Sequence, residues 1–569
     1  CSPPRAHTCS PPPEHTCSPP RAHTRSPPRA HTCSPPRAHT RSLGLTSQAR
    51  KCAVYSPAGG IPPGLFPAGM PGADGGAAVG IEILGIPVGT DAYVCDFAER
   101  RVRQLDQVIP ALSHLRDPQV QYLLLRCCAN ARVSHLLRGI DPNLVAPAAA
   151  EHDRAVWAGL QAILPGAPLS ERSRMVARLH IRLGGLGLPS AERIAPAAYL
   201  GSWALVMAPL VASCPILQDA VQDADSVPAV RALRLAHTQH VAPALAHLER
   251  LRAESGEEGA VVYLPPHSPL PDSLPPPEQF AAASIPRAQS AYAAALLARD
   301  WCEVMEGLEG ADRAWFLAAS HHSIGGQFLV AVPRGAHFTM GPAVFQTAVR
   351  YRLREVQPVV QAVPICGGCG SAVDQQATHY VCCSGVTGRG NHPMALHHAL
   401  VWQLAGMLRA VYGTGRVIME DAAGASHYSP SHRPDITILD TDGVGSHTLV
   451  EVTVFRPAAP AYARTRVRRP VGAELRARQE RRRAEYGDLG PHRLVVFALA
   501  DYGMLSPDAG VLTRECVEAR GDRLDVEDDL ATWACRSFSA FWRQRLSLVL
   551  ATGLAGCVLR QAQRDWRLG

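Results

Sequence analysis

Lysine is almost absent from this sequence. Lys51 is the only lysine, so nearly all of the 56 basic residues are arginines, and they stand against 49 acidic residues. A lysine that acts as a general base or forms a Schiff base is therefore excluded at every position beyond 51. The formal net charge of +7 is mild for a chain of 569 residues.

Cysteine is too scarce for a disulfide scaffold. The 17 cysteines are few for this length, and they are unevenly distributed, with four in an N-terminal repeat and four between Cys366 and Cys383. We therefore expect a reducing compartment, nuclear or cytoplasmic.

A secretion signal and a clear membrane span are also lacking. No charged-then-apolar segment follows Cys1, so we expect a protein that is not secreted. The longest uncharged run, at 194–217, contains Pro196, Pro209 and Pro215, which would disturb the hydrogen bonding that lipid demands. We interpret this run as buried helices and expect no membrane contact. Because the first residue is not Met, we expect a fragment without its true start.

Residues 1–42 are near-copies of the octapeptide CSPPRAHT. Such a proline-rich segment cannot bury a core and is predicted to be a disordered, low-complexity repeat. The regular Cys and His spacing leaves a metal array as an alternative, but a translated DNA minisatellite is the favoured interpretation.

The remaining chain is predicted to be multidomain. Its 47% hydrophobic content excludes wholesale disorder, and its length suggests roughly three to five domains. The predicted segments are a mostly helical region at 91–253, a Pro-rich linker at 254–280, a helical spacer at 281–357, a cysteine-rich segment at 358–390 and a domain with C-terminal helices at 391–569. Within the last segment, apolar patterns predict the order αβββαβ, a sheet covered by helices.

The strongest metal signal is the spacing Cys366-x2-Cys369-x9-His379-x3-Cys383. Three thiolates and one imidazole close a tetrahedral zinc site, so we predict a structural zinc knuckle. Cys382 competes with Cys383 as the fourth ligand. Incidental cysteines in a Cys- and His-rich chain are the alternative.

A pair of carboxylates is predicted on neighbouring strands. Asp435 enters the second strand of the αβββαβ unit, and Glu451 lies on the third. Two such groups can hold a divalent cation, which activates water and stabilises charge on a phosphate. Glu420, at the end of the first strand, is a candidate third carboxylate, although a solvent-exposed strand end is an equal explanation.

Arginine is concentrated just beyond this pair. Ten arginines lie between Arg456 and Arg483, against Glu474 and Glu480. Helix-spaced pairs such as Glu474 and Arg478 account for part of this charge. The unpaired excess fits contacts with a phosphate backbone, and the residues predicted to make them are Arg433, Arg464, Arg466, Arg468 and Arg469.

Two other motifs are interpreted as structural. The segment RLGGLGLPS at 182–190 lacks the lysine pattern of a phosphate loop. The pairs His321–His322 and His397–His398 are expected at the surface or in helix packing.

In the order of these motifs, the chain resembles the C-terminal part of non-LTR (LINE-like) retrotransposon reverse transcriptase polyproteins that carry a restriction-like endonuclease. The segments that carry the resemblance are KCAVYSP, GIEILGIPVGTD, RLGGLGLPSAERIAPAAYLGSW, DRAWFLAAS, FLVAVP, FQTAVRYRL, the cysteine cluster, RPDI, VEVTV, FALADYGMLSPDAGVL and FWRQRLSLVLATG. They cover roughly residues 50–560.

The resemblance implies a PD-(D/E)xK nuclease fold, a thumb-like region at 91–253 and the end of a polymerase palm at 43–90. It implies DNA and element RNA as partners, structural Zn, and catalytic Mg or Mn. Asp435 and Glu451 match the acidic pair, and Arg433 matches the basic residue before it. The polymerase's metal-binding carboxylates would lie before Lys51, where the repeat stands, so we expect no polymerase activity from this chain alone.

One departure from the family concerns the catalytic lysine. Thr453 occupies its usual position, and Arg482 stands where the family often places a basic residue on the following helix. Arginine holds phosphate well but does not act as a base. The sequence thus leaves two functions open, a metal-dependent DNA endonuclease or a decayed, zinc-containing nucleic-acid-binding protein.

Overall fold

The computed structural model describes most of the chain beyond residue 78. The described residues are 55, 79–214, 227–254, 274–320, 324–383, 392–419, 433–441, 443, 445–457, 459, 471–524 and 532–568. The chain divides into two units, Cys1–Ala78 and Val79–Gly569, and Tyr55 is the one described residue of the first. The predicted repeat at 1–42 lies outside the described residues, as does most of the predicted segment 43–90.

Most of the described chain is helical, as the apolar periodicity predicts. The helices are α1 (Asp91–Asp106), α2 (Val108–Ala111), α3 (Pro118–Leu124), α4 (Ser134–Gly139), α5 (Pro142–Ile163), α6 (Glu171–Arg178), α7 (Ala191–Ser213), α8 (Pro228–Ala236), α9 (Ala242–Glu254), α10 (Ala288–Glu306), α11 (Gly310–Ser320), α12 (Pro342–Arg352), α13 (Pro358–Ala362), α14 (Thr378–Cys382), α15 (His392–Tyr412), α16 (Val471–Tyr486), α17 (Pro507–Arg520) and α18 (Phe538–Leu568). A π-helical turn, Leu125–Ala129, follows α3 directly.

Helix starts follow capping chemistry. Asp117 caps α3, because its carboxylate accepts hydrogen bonds from the backbone N–H groups of Gln119 and Val120. Helix α1 is capped by the residue just before Asp91. Thr90 is the cap, accepting from Tyr93 N, and Asp91 lies in the first turn.

Within the described residues, the strands form a hairpin and one four-stranded sheet. They are β1 (Gly80–Ile83), β2 (Ile86–Gly89), β3 (Val417–Met419), β4 (Ile436–Ile438), β5 (Thr448–Phe455) and β6 (Arg493–Ala500). The sheet order is β3-β4-β5-β6, and only the β5–β6 pair is parallel. With α15 before β3 and α16 between β5 and β6, the elements occur in the predicted order αβββαβ.

One hydrophobic core spans most of the predicted segments. Its buried members run from Ile109 through Trp315 and Cys366 to Phe497 and Ala562. Side chains from the helical region, the spacer, the cysteine-rich segment and the sheet therefore pack together.

The C-terminal end of the predicted linker is part of a second core. Leu274 and Phe280 are buried there, and the Tyr292 hydroxyl donates a hydrogen bond to Pro275 O at 2.5 Å. The linker prediction is thus wrong for 274–280, because these few apolar residues do find partners on α8, α9 and α10. Residues 255–273 lie outside the described part.

Helix α7 is the described helix whose length and composition would suffice to cross a membrane, and half of that apolar stretch is buried inside the protein. We expected several helices here, but α7 continues through Pro196 and Pro209 to Ser213. Tyr199, Leu200 and Ala204 of α7 pack in the second core. Because such core positions are apolar, a buried helix can be as hydrophobic as one that crosses a membrane.

A buried carboxylate at the end of β6 predicts how stability depends on pH. Tyr351 donates a hydrogen bond to Asp501 Oδ2 at 2.9 Å, and burial raises the pKa of Asp501 to about 7. The folded state therefore holds this proton at pH values where the unfolded chain releases it. The resulting stability is complete below the unfolded pKa and is lost as pH rises toward 7, by at most about 1.4 kcal/mol per pH unit.

We expect Asp501→Asn to flatten the fall in unfolding free energy between pH 5 and 7. Chemical denaturation of both proteins across this range measures the two slopes. Equal slopes would mean that Asp501 is ionised in the folded state throughout.

Candidate functional site

Four side chains of the cysteine-rich segment converge on one point. The Sγ atoms of Cys366, Cys369 and Cys383 and a ring nitrogen of His379 all lie within 4.8 Å of one another. The two Sγ atoms of Cys366 and Cys383 are 3.8 Å apart, and Cys369 Sγ is 3.2 Å from His379 Nε2. The predicted ligand set is thus brought together.

The distances between these atoms fit an ion with tetrahedral coordination. With Zn–S bonds of about 2.3 Å, two thiolates of a tetrahedral site are about 3.8 Å apart, which is the separation of Cys366 Sγ and Cys383 Sγ. Three soft sulfur donors and one imidazole are the donors that zinc prefers. The cluster can therefore hold a metal ion, and its chemistry is consistent with zinc.

Local chain geometry explains why the ligands converge. Gly370 adopts φ +70°, a conformation that favours glycine, and its N–H bonds Cys366 O at 2.8 Å to close the turn that carries the first two cysteines. The Asp374 carboxylate accepts from Thr378 N and His379 N at 2.9 and 2.7 Å. This fixes the start of α14, which presents His379 and leads to Cys383.

Protonation distinguishes Cys369 of the cluster from the competing Cys382. Hydrogen bonds with Ser371 lower the pKa of Cys369 to about 6, which favours the metal-binding thiolate at neutral pH. Burial raises the pKa of Cys382 to about 12, so its thiol stays protonated. Cys383, and not Cys382, is the fourth member of the cluster.

The cluster also contacts the C-terminal helix. Gln561 on α18 has its Nε2 3.8 Å from Cys366 Sγ, and both residues are buried. Cys366 and Cys383 belong to the large core, so a metal bound here would stabilise the packing of distant segments as well as its own turn.

The second candidate site lies where β4 and β5 pair. The antiparallel register pairs Ile436 with Val450, which places Asp435 opposite Glu451 at the start of β4. The two predicted carboxylates therefore face each other across adjacent strands.

Asp435 is held by the backbone of β5 and by a histidine. Its Oδ2 accepts from Val452 N at 2.7 Å and lies 3.3 Å from His397 Nε2, which is also 3.1 Å from Val452 O. Because both neighbours of Nε2 are acceptors, this nitrogen carries the proton. The hydrogen bond to Asp435 raises the pKa of His397 against the opposing effect of burial. Among the described residues, Asp435 Oδ1 accepts no hydrogen bond.

Glu451 is held from the helix side. The Tyr486 hydroxyl donates to its Oε2 at 2.8 Å, and Arg482 Nη2 lies 3.7 Å from its Oε1. Burial, followed by the nearby charge of Asp435, raises the pKa of Glu451 to about 7. Two carboxylates this close repel each other, and an added cation would remove that repulsion.

One stripe of α16 supplies these contacts. Arg478, Arg482 and Tyr486 are spaced by four residues and therefore lie on one helix face. Arg478 Nε donates to Thr453 Oγ1 at 3.2 Å, so the stripe lies over the face of β5 that carries both Glu451 and Thr453.

Sequence reasoning found Asp435, Glu451 and Arg482 but missed two partners. His397 was interpreted as a surface or helix-packing residue, and it does pack α15 against the sheet, but its contact with Asp435 was not predicted. Tyr486 was not considered as a partner at all. The four-residue spacing of Arg478, Arg482 and Tyr486 was a usable signal for it, whereas nothing in the sequence joins His397 on α15 to β4.

The other predicted residues fall into two groups. Arg433 lies exposed just before Asp435. The predicted site residues outside the described part are Glu420, Arg464, Arg466, Arg468 and Arg469. Further along, Arg483 pairs with both oxygens of Asp508 at 2.8 Å and is a structural contact.

No protein-family model matches the chain, and a search of curated proteins finds no significant match.

Proposed function

We propose that this protein is a divalent-metal-dependent DNA endonuclease derived from a retroelement, with a structural zinc ion. The observation that carries the proposal is the pair Asp435 and Glu451, which face each other on adjacent strands beside a helix rich in arginine. Carboxylate oxygens are the ligands that Mg²⁺ and Mn²⁺ prefer. Asp435 Oδ1 and Glu451 Oε1 are the atoms that would hold the cation.

The surrounding residues have distinct tasks. A bound cation would activate water and neutralise charge on the scissile phosphate. His397 and Val452 N fix Asp435 through Oδ2 and leave Oδ1 for the metal, while Tyr486 fixes Glu451. Arg482 is permanently charged, so it can stabilise phosphate but cannot accept a proton.

Charge on α16 suits a nucleic-acid backbone. Arg476 and Arg481 are exposed on this helix, and Arg433 is exposed beside Asp435. Backbone contacts of this kind release counterions, so binding of DNA would weaken steeply as salt rises. DNA is the proposed substrate, element RNA a proposed partner, and the nucleus or cytoplasm the proposed location.

Replacing Thr453 with lysine tests the proposed chemistry. Thr453 lies on the Glu451 face of β5, so we expect Thr453→Lys to add a positive charge near the reacting phosphate and to raise the rate of plasmid nicking about tenfold to a hundredfold. Thr453→Met is the matched control, because it has similar bulk and no charge. A folded Thr453→Lys protein that nicks no faster than Thr453→Met would count against a nuclease site here.

A decayed, non-cleaving binding protein is the second candidate. The observation that favours it is Thr453 at the usual lysine position, with its hydroxyl engaged by Arg478. In that case the wild type and Thr453→Lys would both bind DNA, and neither would cut it in Mg²⁺ or Mn²⁺.

A further inference from the structure

We propose a nucleotide-binding pocket for single-stranded nucleic acid between the π-helical turn after α3, the loop before α7 and the residues before α18. The proposal concerns binding at a surface that shares no residue with the carboxylate pair, and it does not rest on cleavage. The pocket has a volume of about 450 Å³, within the range of ordinary small-ligand sites.

The rim of the pocket is cationic. Arg126, Arg178 and His180 line it, and no carboxylate is among the described lining residues. Arg126 Nε is buried with no hydrogen-bond partner among the described residues. An unsatisfied buried guanidinium donor costs stability unless a ligand supplies the acceptor. A phosphate oxygen is such an acceptor.

Local backbone geometry presents Arg126 to the pocket. The residue lies in the π-helical turn Leu125–Ala129, an element that is frequent at functional sites. Its side chain passes close to Gly187, where a Cβ atom would be 2.8 Å from Arg126 Nε. Glycine at 187, with φ +69°, therefore leaves room for the guanidinium.

Arg178 has little competing charge. Among the described residues it forms no hydrogen bond or ion pair, and burial lowers its pKa. Asp153 and, with a smaller effect, Glu171 act on Arg178 as opposing charges, and the Asp153 carboxylate already accepts hydrogen bonds from Ser190 and from Ala191 N. Arg178 is thus available to a second anion.

The remaining wall suits a base. Leu137, Pro189, Ile194 and Leu297 form an apolar floor, and Trp533 is 54% exposed at its edge. An exposed indole beside arginines is the usual means of holding an unstacked base next to its phosphate. A duplex cannot offer an unstacked base, so the pocket favours a single strand.

The test is binding of a fluorescein-labelled (dT)20 oligonucleotide to the full chain without divalent metal. We expect Arg126→Ala with Arg178→Ala to weaken binding roughly tenfold or more, because two phosphate contacts are lost. Arg100→Ala with Arg101→Ala removes the same charge from the exposed face of α1 and is the matched control. Equal losses in the two double variants would overturn the proposal, because they would show an effect of net charge alone.

The indole provides a second, independent readout. Trp533→Ala should weaken binding roughly tenfold, while Trp533→Phe should retain most of the affinity because the stacking ring remains. Oligonucleotide should quench tryptophan fluorescence in the wild type, and the quench should be smaller in Trp533→Phe. An unchanged quench in that variant would exclude Trp533 from the site.

Two further binding experiments identify what occupies the pocket. ATP or dTMP at millimolar concentration should compete weakly, because a strand adds further phosphate contacts; tighter binding of the free nucleotide than of (dT)20 would overturn the strand assignment. The sequence also places acidic residues at 525–529, outside the described part. If wild type fails to bind (dT)20 and neutralising those residues restores binding, the chain's own acidic segment is the occupant and the proposal falls.

Discussion

A chain purified without added metal or a metal-affinity tag is expected to carry one zinc ion, and Cys366→Ser with Cys369→Ser is expected to lose it. Three thiolates and an imidazole within 4.8 Å of one another satisfy the full coordination of zinc. Apparent binding free energies at such sites are about 10–16 kcal/mol and appear as folding free energy. The double variant should therefore melt at a lower temperature than the wild type.

Cys382→Ser is the matched control for this prediction. The residue is adjacent to Cys383, but its thiol is kept protonated by burial and does not belong to the cluster. Metal analysis by mass spectrometry should find full zinc in Cys382→Ser and almost none in the double variant. A wild type without zinc, or a Cys382→Ser protein that loses it, would show that the ligands are wrongly assigned.

The Cys/His cluster was predictable because its residues are close together in the sequence. All four lie within 18 residues of sequence, so spacing alone limits which groups can meet. The choice between Cys382 and Cys383 was not predictable, since it depends on which side of α14 faces the core. The convergence of Cys383 Sγ with the other three side chains decides it.

The carboxylate pair was predictable for a related reason. Asp435 directly precedes β4 and Glu451 lies within β5, and strands that are consecutive in sequence commonly pair. His397 reaches Asp435 only because α15 packs on the sheet, across 38 positions of sequence. Its partner is thus fixed by tertiary packing, which periodicity does not report.

The extent of the core was the least predictable feature. Local patterns separated a helical region, a spacer, a cysteine-rich segment and a sheet, yet Ile109, Trp315, Cys366 and Phe497 belong to one cluster. Apolar faces identify what will be buried, but they do not identify the partner against which each face will pack.

Neutralising the carboxylate pair is expected to abolish DNA cleavage while leaving DNA binding intact. Asp435→Asn and Glu451→Gln retain side-chain oxygens that can accept from Val452 N and from Tyr486, so both proteins should fold. Each loses a charge needed to hold the cation, and nicking should fall by a factor on the order of 10³. Affinity for DNA should be equal or slightly higher, because a charge that repels phosphate has been removed.

The state of Glu451 adds a dependence on pH. Its raised pKa of about 7 means that protons compete with the cation below neutrality, so wild-type nicking should rise between pH 6 and 8. The free energy of unfolding depends on pH in the opposite direction. It falls as pH rises through the raised pKa, because the folded state prefers the protonated form of Glu451. Glu451→Gln should therefore unfold no more easily than the wild type at pH 8, which separates loss of chemistry from loss of fold.

The most direct measurement is conversion of supercoiled plasmid to nicked circles by the full chain in Mn²⁺ at pH 8. Wild type, Asp435→Asn and Glu451→Gln are compared with Glu480→Gln, which removes an exposed carboxylate from the same helix as Arg482. We predict nicking by the wild type and Glu480→Gln, none above background by the other two, and equal binding of plasmid by all four. Nicking that persists in Asp435→Asn and Glu451→Gln, or a wild type that binds plasmid without cutting it, would contradict a nuclease centred on Asp435 and Glu451.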